Sequence, residues 1–468
     1  MSGKPKSVAA TSVRDIVSTK RGEIAVIGLA RSGRAVARLL ATRGSRVYAS
    51  DRGDAASLGP VAAELRGIGV DVDIGTHDMD RLGGAALIVA SPGVPPDAPP
   101  LSAARAAGIP IVSEIEIGLL FLRKQRYIAI TGTNGKTTTT SLTATLFEAV
   151  GRTAIAAGNI GTPLSEVALA EKSPEWIALE VSSFQLHDTP SIDPTIGILT
   201  NLSANHLDRY ASIEEYYADK ALLFRNATQR SRWISNGDDS ASRATMASVV
   251  GDQRQFSVRE KADAWLDSST GKLTVLGHPL LLREELPLLG DHNVANALAA
   301  SLAVMLADTA HQEPGAIMRI AAGLRRFTAL EHRIEPVVTA DGITWINDSK
   351  STNVASTLVA LRGMRRPTVL LLGGRHKGEP YTDLADELRR TGRAVIAYGE
   401  AAPLVEADLK GVVPVRRLES SFDEVIAAAR DIAQSGDAVL LSPACSSYDM
   451  FDNYEQRGRI FKEKVSGS

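Results

Sequence analysis

Short apolar runs recur along the chain, and most are followed by a turn and then a stretch with helical spacing. EIAVIG (23–28), SRVYASD (45–51), ALIVASPG (86–93) and IPIV (109–112) read as strands, with helical GLARSGRAVARLLATRG (28–44) and LSAARAAG (101–108) among them. RYIAITG (126–132), EWIALEVSSF (175–184) and PTIGILTN (194–201) open a second series, which includes the helical HNVANALAASLAVMLA (292–307). A third series holds the strands ITWINDS (343–349), PTVLLLGG (367–374), RAVIAYG (393–399) and DAVLLSP (437–443), with helical TDLADELRR (382–390) between them. Strands alternating with helices predict parallel, doubly wound sheets. The fold class is therefore α/β in three units, placed at 1–124, 125–330 and 331–468.

Length agrees, because 468 residues exceed one ordinary core. The formal net charge of −2 supplies no global basic field for nucleic acid or an acidic membrane, so an anionic substrate needs local cations and backbone amides. One cysteine, Cys445, excludes an intrachain disulfide and a cysteine-cluster metal site. The first ten residues lack the apolar region of a secretory signal, and no stretch approaches a membrane span. These features predict a cytoplasmic protein and imply no particular oligomer.

The strongest local chemistry is ITGTNGKTTTT (130–140). Gly132, Thr133, Asn134, Gly135, Lys136, Thr137 and Thr138 lie between a strand and a helix start. Glycines let amides turn toward phosphate oxygens, and the helix dipole adds positive potential. Lys136 is placed to reach the β- and γ-phosphates, and Thr137 to offer a hydroxyl to Mg²⁺. In the first unit, Gly28-Leu29-Ala30-Arg31-Ser32-Gly33 is a dinucleotide-type fingerprint with Ala30 at its middle glycine, and Asp51 ends the next strand. On its own this accommodates a nicotinamide cofactor or a uridine diphosphate. A nucleotide-hydrolysing switch protein and a dehydrogenase are the readings from other classes.

Further blocks follow in order: GNIGTP (158–163), LEVSSFQL (179–186), NHLDRY (205–210), YYADKALLF (216–224), GDHNVANALAA (290–300), EHR (331–333), NDSKSTN (347–353), GGRHKG (373–378) and SPACSSYDMFDNYEQRG (442–458). With the phosphate loop they resemble the Mur ligases over nearly the whole chain. The loop alone also resembles folylpolyglutamate synthase, which has no counterpart of the first unit. LEVSSFQL and the last block are most similar to the D-glutamate-adding branch, and the D-N-P-R motif of the diaminopimelate-adding branch is absent.

The resemblance implies a Rossmann-like N-terminal domain, a central P-loop ATPase domain and a Rossmann-like C-terminal domain. It implies ATP and two Mg²⁺ sites, with UDP-N-acetylmuramoyl-L-alanine and D-glutamate as substrates and an acyl phosphate between them. Glu180 and His206 become Mg²⁺ ligands, and Lys220 becomes a carbamate that helps hold the second ion. Asn293, Arg333 and Asp348 go to ATP. Arg31, Ser32, Asp51, Arg52, Ser91 and Asn159 go to the UDP substrate. Lys377, Ser446, Ser447, Tyr454, Lys350 and Thr352 go to D-glutamate, with Ser446 and Ser447 expected at a helix start. The sequence departs from the branch at Asn205, where Asp is common, and at Tyr454, where Phe is common. Without the resemblance, the helical spacing around Lys220 reads as a solvated lysine.

Overall fold

The computed structural model describes residues 10–205, 209–419 and 421–467. Its first sheet holds β1 (Glu23–Ile27), β2 (Arg46–Asp51), β3 (Asp71–Ile74), β4 (Leu87–Ala90) and β5 (Ile111–Ser113) in the order β3-β2-β1-β4-β5. Every pair is parallel. The central strands β1 and β4 are buried almost end to end because helices cover both faces, which is why they read as unbroken apolar runs. The order reverses between β1 and β4, the point where open α/β sheets take ligands.

The second sheet is larger. β6 (Arg126–Thr131), β7 (Ala154–Gly158), β8 (Trp176–Glu180), β9 (Ile196–Leu199), β10 (Arg232–Asn236), β11 (Asp252–Ser257), β12 (Ala264–Asp267), β13 (Lys272–Val275) and β14 (His278–Leu282) follow the order β14-β13-β12-β11-β10-β9-β6-β8-β7. From β7 across to β12 the pairing is parallel, and β12 meets β13 antiparallel. β6, which feeds the phosphate loop, lies between β8 and β9, so the ends of three strands converge on that loop.

The third sheet is β15 (Glu335–Ala340), β16 (Ile343–Asn347), β17 (Thr368–Gly373), β18 (Gly392–Tyr398), β19 (Val415–Arg417) and β20 (Ala438–Leu441), ordered β15-β16-β20-β17-β18-β19. Only β15 runs antiparallel, at one edge.

The chain forms two compact units, Met1–Leu281 with Asn296–Leu324, and Leu282–Ala295 with Arg325–Ser468. In the first unit one apolar cluster continues from Val26, Leu39 and Val89 through Ile115, Ile117 and Leu164 to Leu179 and Leu199. It joins the first two sheets at the helices Glu114–Phe121 and Leu164–Leu169. Gly118 has no space for a Cβ because Leu164 fills it. Two acids are buried at this join. Glu114 accepts from the Ser165 amide at 2.5 Å, and Glu116 accepts from the Ser191 amide and hydroxyl at 3.0 and 2.8 Å. Burial pushes Glu114 up to about 7.

One expected element is displaced. No helix begins at Ser446 and Ser447; the chain makes a single turn there, with Phe451 N–H donating to Ser447 C=O at 2.8 Å. The helix runs Tyr454–Ser466, capped by Asn453, whose side chain accepts from the Gln456 amide. The cause is local. Ser446 exchanges both backbone hydrogen bonds with Arg375, at 2.9 and 3.1 Å, which holds it extended.

Candidate active site

The phosphate loop is clamped from β9. The Thr133 amide donates to Asn201 C=O at 2.8 Å, and the Asn134 amide to Asn201 Oδ1 at 3.0 Å. The Asn134 carbonyl accepts from Thr200 Oγ1 at 2.6 Å and from Asn201 Nδ2 at 3.1 Å. Gly132 is at φ 143°, and a Cβ there would overlap Thr200 Oγ1. Gly135, at φ 81°, caps the helix Lys136–Ala149, and a Cβ there would overlap the Asn296 carboxamide. Both glycines are therefore dictated by backbone angle and close approach. The first-turn amides and dipole of this helix make an anion site. Lys136 Nζ lies against the loop itself, donating to Gly132 C=O at 2.8 Å and Thr133 C=O at 2.7 Å. Thr137 is buried and Thr138 half-buried on the first turn.

Beside the loop, β8 delivers Glu180, which is 2% exposed. Its Oε1 accepts from Asn159 Nδ2 at 2.9 Å. Its Oε2 is buried and has no hydrogen-bond partner among the described residues. A buried carboxylate oxygen left unpaired is costly, and a hard cation is the partner that suits it. Lys220, on the helix Ile213–Ala221, is 2% exposed, and its ammonium lies 4.8 Å from the centre of the Tyr216 ring. The solvated reading of this lysine is therefore corrected. Burial, reinforced by the like charge of Lys136 and opposed by Glu180 and Asp219, holds its pKa well below the ordinary lysine value. His206 lies outside the described residues.

The fingerprint turn of the first sheet is built by its own side chains. Gly28 is at φ 89°, and its carbonyl oxygen occupies the place of a Cβ on Gly33. Asp51 accepts from the Leu29 amide at 2.6 Å and the Gly53 amide at 2.8 Å, one on each oxygen. Ser91 donates to Gly28 C=O at 2.9 Å and is buried. Asp51 and Ser91, expected at the ligand, are seen here shaping the turn. Arg31 and Arg52 are exposed and Ser32 is half-buried. Arg31 Nη1 donates to Gly161 C=O at 2.6 Å, and Asn159 of that same loop contacts Glu180.

In the second unit, four of the six residues expected at D-glutamate fall into two pairs. Lys377 donates to Thr352 Oγ1 at 3.2 Å. The Lys350 ammonium lies 5.2 Å from the centre of the Tyr454 ring. The Ser446–Arg375 bridge ties the loop after β20 to the loop after β17. Gly374, at φ 128°, allows that approach, because a Cβ would overlap the Ser446 carbonyl. Arg457 is fully buried, and its guanidinium joins Ser349 Oγ at 2.9 Å and Ser349 C=O at 2.8 Å to Cys445 C=O at 3.3 Å. Cys445 is buried against Tyr381 Oη, and burial pushes its thiol up to about 11, so it stays neutral.

The residues expected at ATP in this unit are also tied to backbone. Asn293 donates to Leu289 C=O at 2.8 Å. Asp348 accepts from the Ile334 amide at 3.2 Å and from Ser351 and Ser442 hydroxyls at 2.6 and 2.7 Å. Burial raises it to about 6. Arg333 stands between His332 (φ 63°) and Ile334 (φ 45°), and such angles strain residues with a Cβ, a β-branched one most. Asp348 therefore holds a bent segment as well as facing Arg333 electrostatically.

Sequence reasoning passed over Thr200, Asn201, Asn296, Glu114 and Arg457. The first two were accessible: they follow an apolar strand adjacent to the loop strand, where strand ends gather ligands. Arg457 carries no signal of burial in its helix.

Three family descriptions match the chain: a MurD-like N-terminal domain over 22–113, a Mur ligase middle domain over 130–304 and a Mur ligase glutamate ligase domain over 332–445. The chain is similar to UDP-N-acetylmuramoylalanine–D-glutamate ligase of Desulfatibacillum aliphaticivorans, 37% identical over 451 residues, covering 96% of this chain and 98% of the relative. The enzyme of that name from Salinibacter ruber is 39% identical, with 95% and 98% covered. Among solved structures, UDP-N-acetylmuramate–alanine ligase MurC of Thermotoga maritima superposes with a TM-score of 0.60 at 19% identity, covering 96% of this chain and all of that one. That last likeness is one of fold.

Proposed function

This chain belongs to the Mur ligase family, and on that footing we propose that it joins D-glutamate to UDP-N-acetylmuramoyl-L-alanine at the expense of ATP. Full-length kinship to ligases named for that reaction carries the reading. The domains proposed are 1–124 for the UDP substrate, 125–330 for ATP and 331–468 for the amino acid.

The substrate carboxylate attacks the γ-phosphorus, ADP leaves, and an acyl phosphate forms. The amine of D-glutamate then attacks the acyl carbon, loses a proton and expels phosphate. Carboxylate, triphosphate and glutamate repel one another, so local positive charge must bring them together. Lys136 and the first-turn amides of its helix hold the phosphates. Gly132 to Thr138 form the cradle, with Asn293, Arg333 and Asp348 assigned to the rest of the nucleotide.

Glu180 through its unpaired Oε2, Thr137, His206 and Lys220 are the residues assigned to Mg²⁺. When bound, Mg²⁺ supplies Lewis-acid neutralisation of phosphate oxygens. Lys220 reacts with CO₂ only as a neutral amine, and burial supplies that form. The resulting carbamate is an anion beside Glu180 and Lys136. Arg31, Ser32, Asp51, Arg52 and Ser91 are assigned to the UDP substrate; Asn159, expected there too, has its carboxamide on Glu180. Lys377, Thr352, Ser446, Ser447, Lys350 and Tyr454 are assigned to D-glutamate.

The experiment is interception. With ATP and UDP-N-acetylmuramoyl-L-alanine but no glutamate, hydroxylamine traps a hydroxamate, because phosphorylation has turned a carboxylate oxygen into a leaving group. Normal ligation without any trapped hydroxamate contradicts the two-step reaction.

A further inference from the structure

The loop 158–163 is fastened at both ends to functional residues. Gly158, at φ 98°, packs so closely on the Glu180 carbonyl that a Cβ would overlap it. The Asn159 amide donates to Glu180 C=O at 3.0 Å, and the Gly158 amide to Thr162 C=O at 2.9 Å. The Asn159 carboxamide donates to Glu180 Oε1 at 2.9 Å. On the far side, Arg31 reaches the Gly161 carbonyl from the first sheet. Asn159 is itself exposed, whereas the carboxylate it touches is buried and keeps Oε2 unpaired.

We infer that Asn159 is a positioning residue for Glu180: its carboxamide occupies Oε1 and so presents Oε2 alone to a divalent cation. This deepens the proposed function and rests on its assignment of Glu180 to the metal. The hydrogen bond to Oε1 resists rotation of the carboxylate and leaves the unpaired Oε2 as the oxygen a cation would meet first. Such outer partners orient a ligand and set its affinity for the ion. Losing the Asn159 side chain is therefore felt at the Glu180 carboxylate and the ion it holds, not at the UDP substrate. Arg31 holds the loop from which Asn159 acts.

The test uses the full-length protein with a non-hydrolysable ATP analogue and Mn²⁺ as the probe ion, its binding followed by electron paramagnetic resonance. Asn159→Leu keeps the volume and removes the donor; Asn159→Ala removes both. Each is expected to weaken Mn²⁺ binding about 10- to 100-fold. Affinity for UDP-N-acetylmuramoyl-L-alanine, measured by calorimetry, stays at the wild-type level, whereas the thermal midpoint falls, since the buried Glu180 Oε1 loses its donor. Wild-type Mn²⁺ affinity in both variants, with weakened binding of the UDP substrate, overturns the inference and returns Asn159 to that substrate. Glu180→Gln separates the two layers. If it too binds Mn²⁺ normally, Glu180 is no metal ligand, and the inference falls together with the assignment beneath it. If Glu180→Gln loses the ion while both Asn159 variants keep it, only the positioning role fails.

Discussion

Lys220 shows why a buried cation belongs to function and not to stability. Its ordinary pKa is depressed by burial and by Lys136, so over a range below about 10.5 the unfolded chain holds a proton that the folded chain lacks. That term makes stability rise with pH through the range and weakens the fold at neutral pH. Lys220→Met keeps the length and drops the amine. It is expected to abolish ligation and raise the thermal midpoint at pH 7, read by calorimetry beside a phosphate-release assay. An active variant, or one of lower midpoint, contradicts the role. Lys136→Ala makes the complementary change at a half-buried site. Losing one positioned phosphate donor costs roughly 3–4 kcal/mol of transition-state stabilisation, a fall in kcat of a few hundred-fold. Near-normal turnover in a folded protein counts against it. Lys136 was legible from its loop alone, whereas Lys220 took its role only from the resemblance. Lys136 announces itself by Gly135 before it, but Lys220 sits in a helix whose spacing suits solvent. Its burial and the charges it feels from Lys136 and Glu180, both distant in the chain, leave no trace in the helical period.

At the scale of elements, the central strands of each sheet were legible because two-sided burial writes continuous apolar runs into them, whereas half-exposed strands such as β3, β11 and β15 carry no such run and were not read. The phosphate loop was legible too, since Gly132 and Gly135 mark backbone angles. The start of the last helix was not. Ser446 and Ser447 have the composition of a helix cap, but the pairing of Ser446 with Arg375 overrides that preference and Asn453 becomes the cap. Glu114 was equally hidden, as an acid inside an apolar helix start. With a folded pKa of about 7 against an ordinary 4.5, it holds a proton in the folded chain over that interval and not in the unfolded one. Its stabilising term is complete below 4.5 and is lost as pH rises through 7. Glu114→Gln keeps an acceptor for the Ser165 amide and removes the charge. Denaturant titrations are expected to show a gain on the order of 3 kcal/mol at pH 8 and little change at pH 4.5. A gain that is the same at both pH values refutes the ionisation argument.

Over the whole molecule, the proposed function gives each substrate its own sheet, so turnover is expected to need all three. No helix among the described residues is long and apolar enough to cross a membrane. The amino acid is the most specific part of the claim. Lys377 with Thr352, and Ser446 with Ser447, offer positive charge and hydroxyls for a carboxylate. Ser447→Ala and Lys377→Ala are expected to raise the KM for D-glutamate tenfold or more, leaving the KM for ATP within about twofold, because a charged hydrogen bond is worth about 1.5–3 kcal/mol. An equal rise in both constants contradicts this assignment. Two fixed carboxylates leave one configuration of glutamate with its amine aimed at the acyl carbon. The wrong enantiomer loses a contact or misplaces the amine, so the same 1.5–3 kcal/mol gives tens- to over a hundred-fold discrimination. The direct measurement is phosphate release from ATP with UDP-N-acetylmuramoyl-L-alanine and, in turn, D-glutamate, L-glutamate, L-alanine and diaminopimelate at equal concentration. The account predicts turnover with D-glutamate and little response to the others; turnover with L-glutamate equal to or faster than with D-glutamate would contradict it.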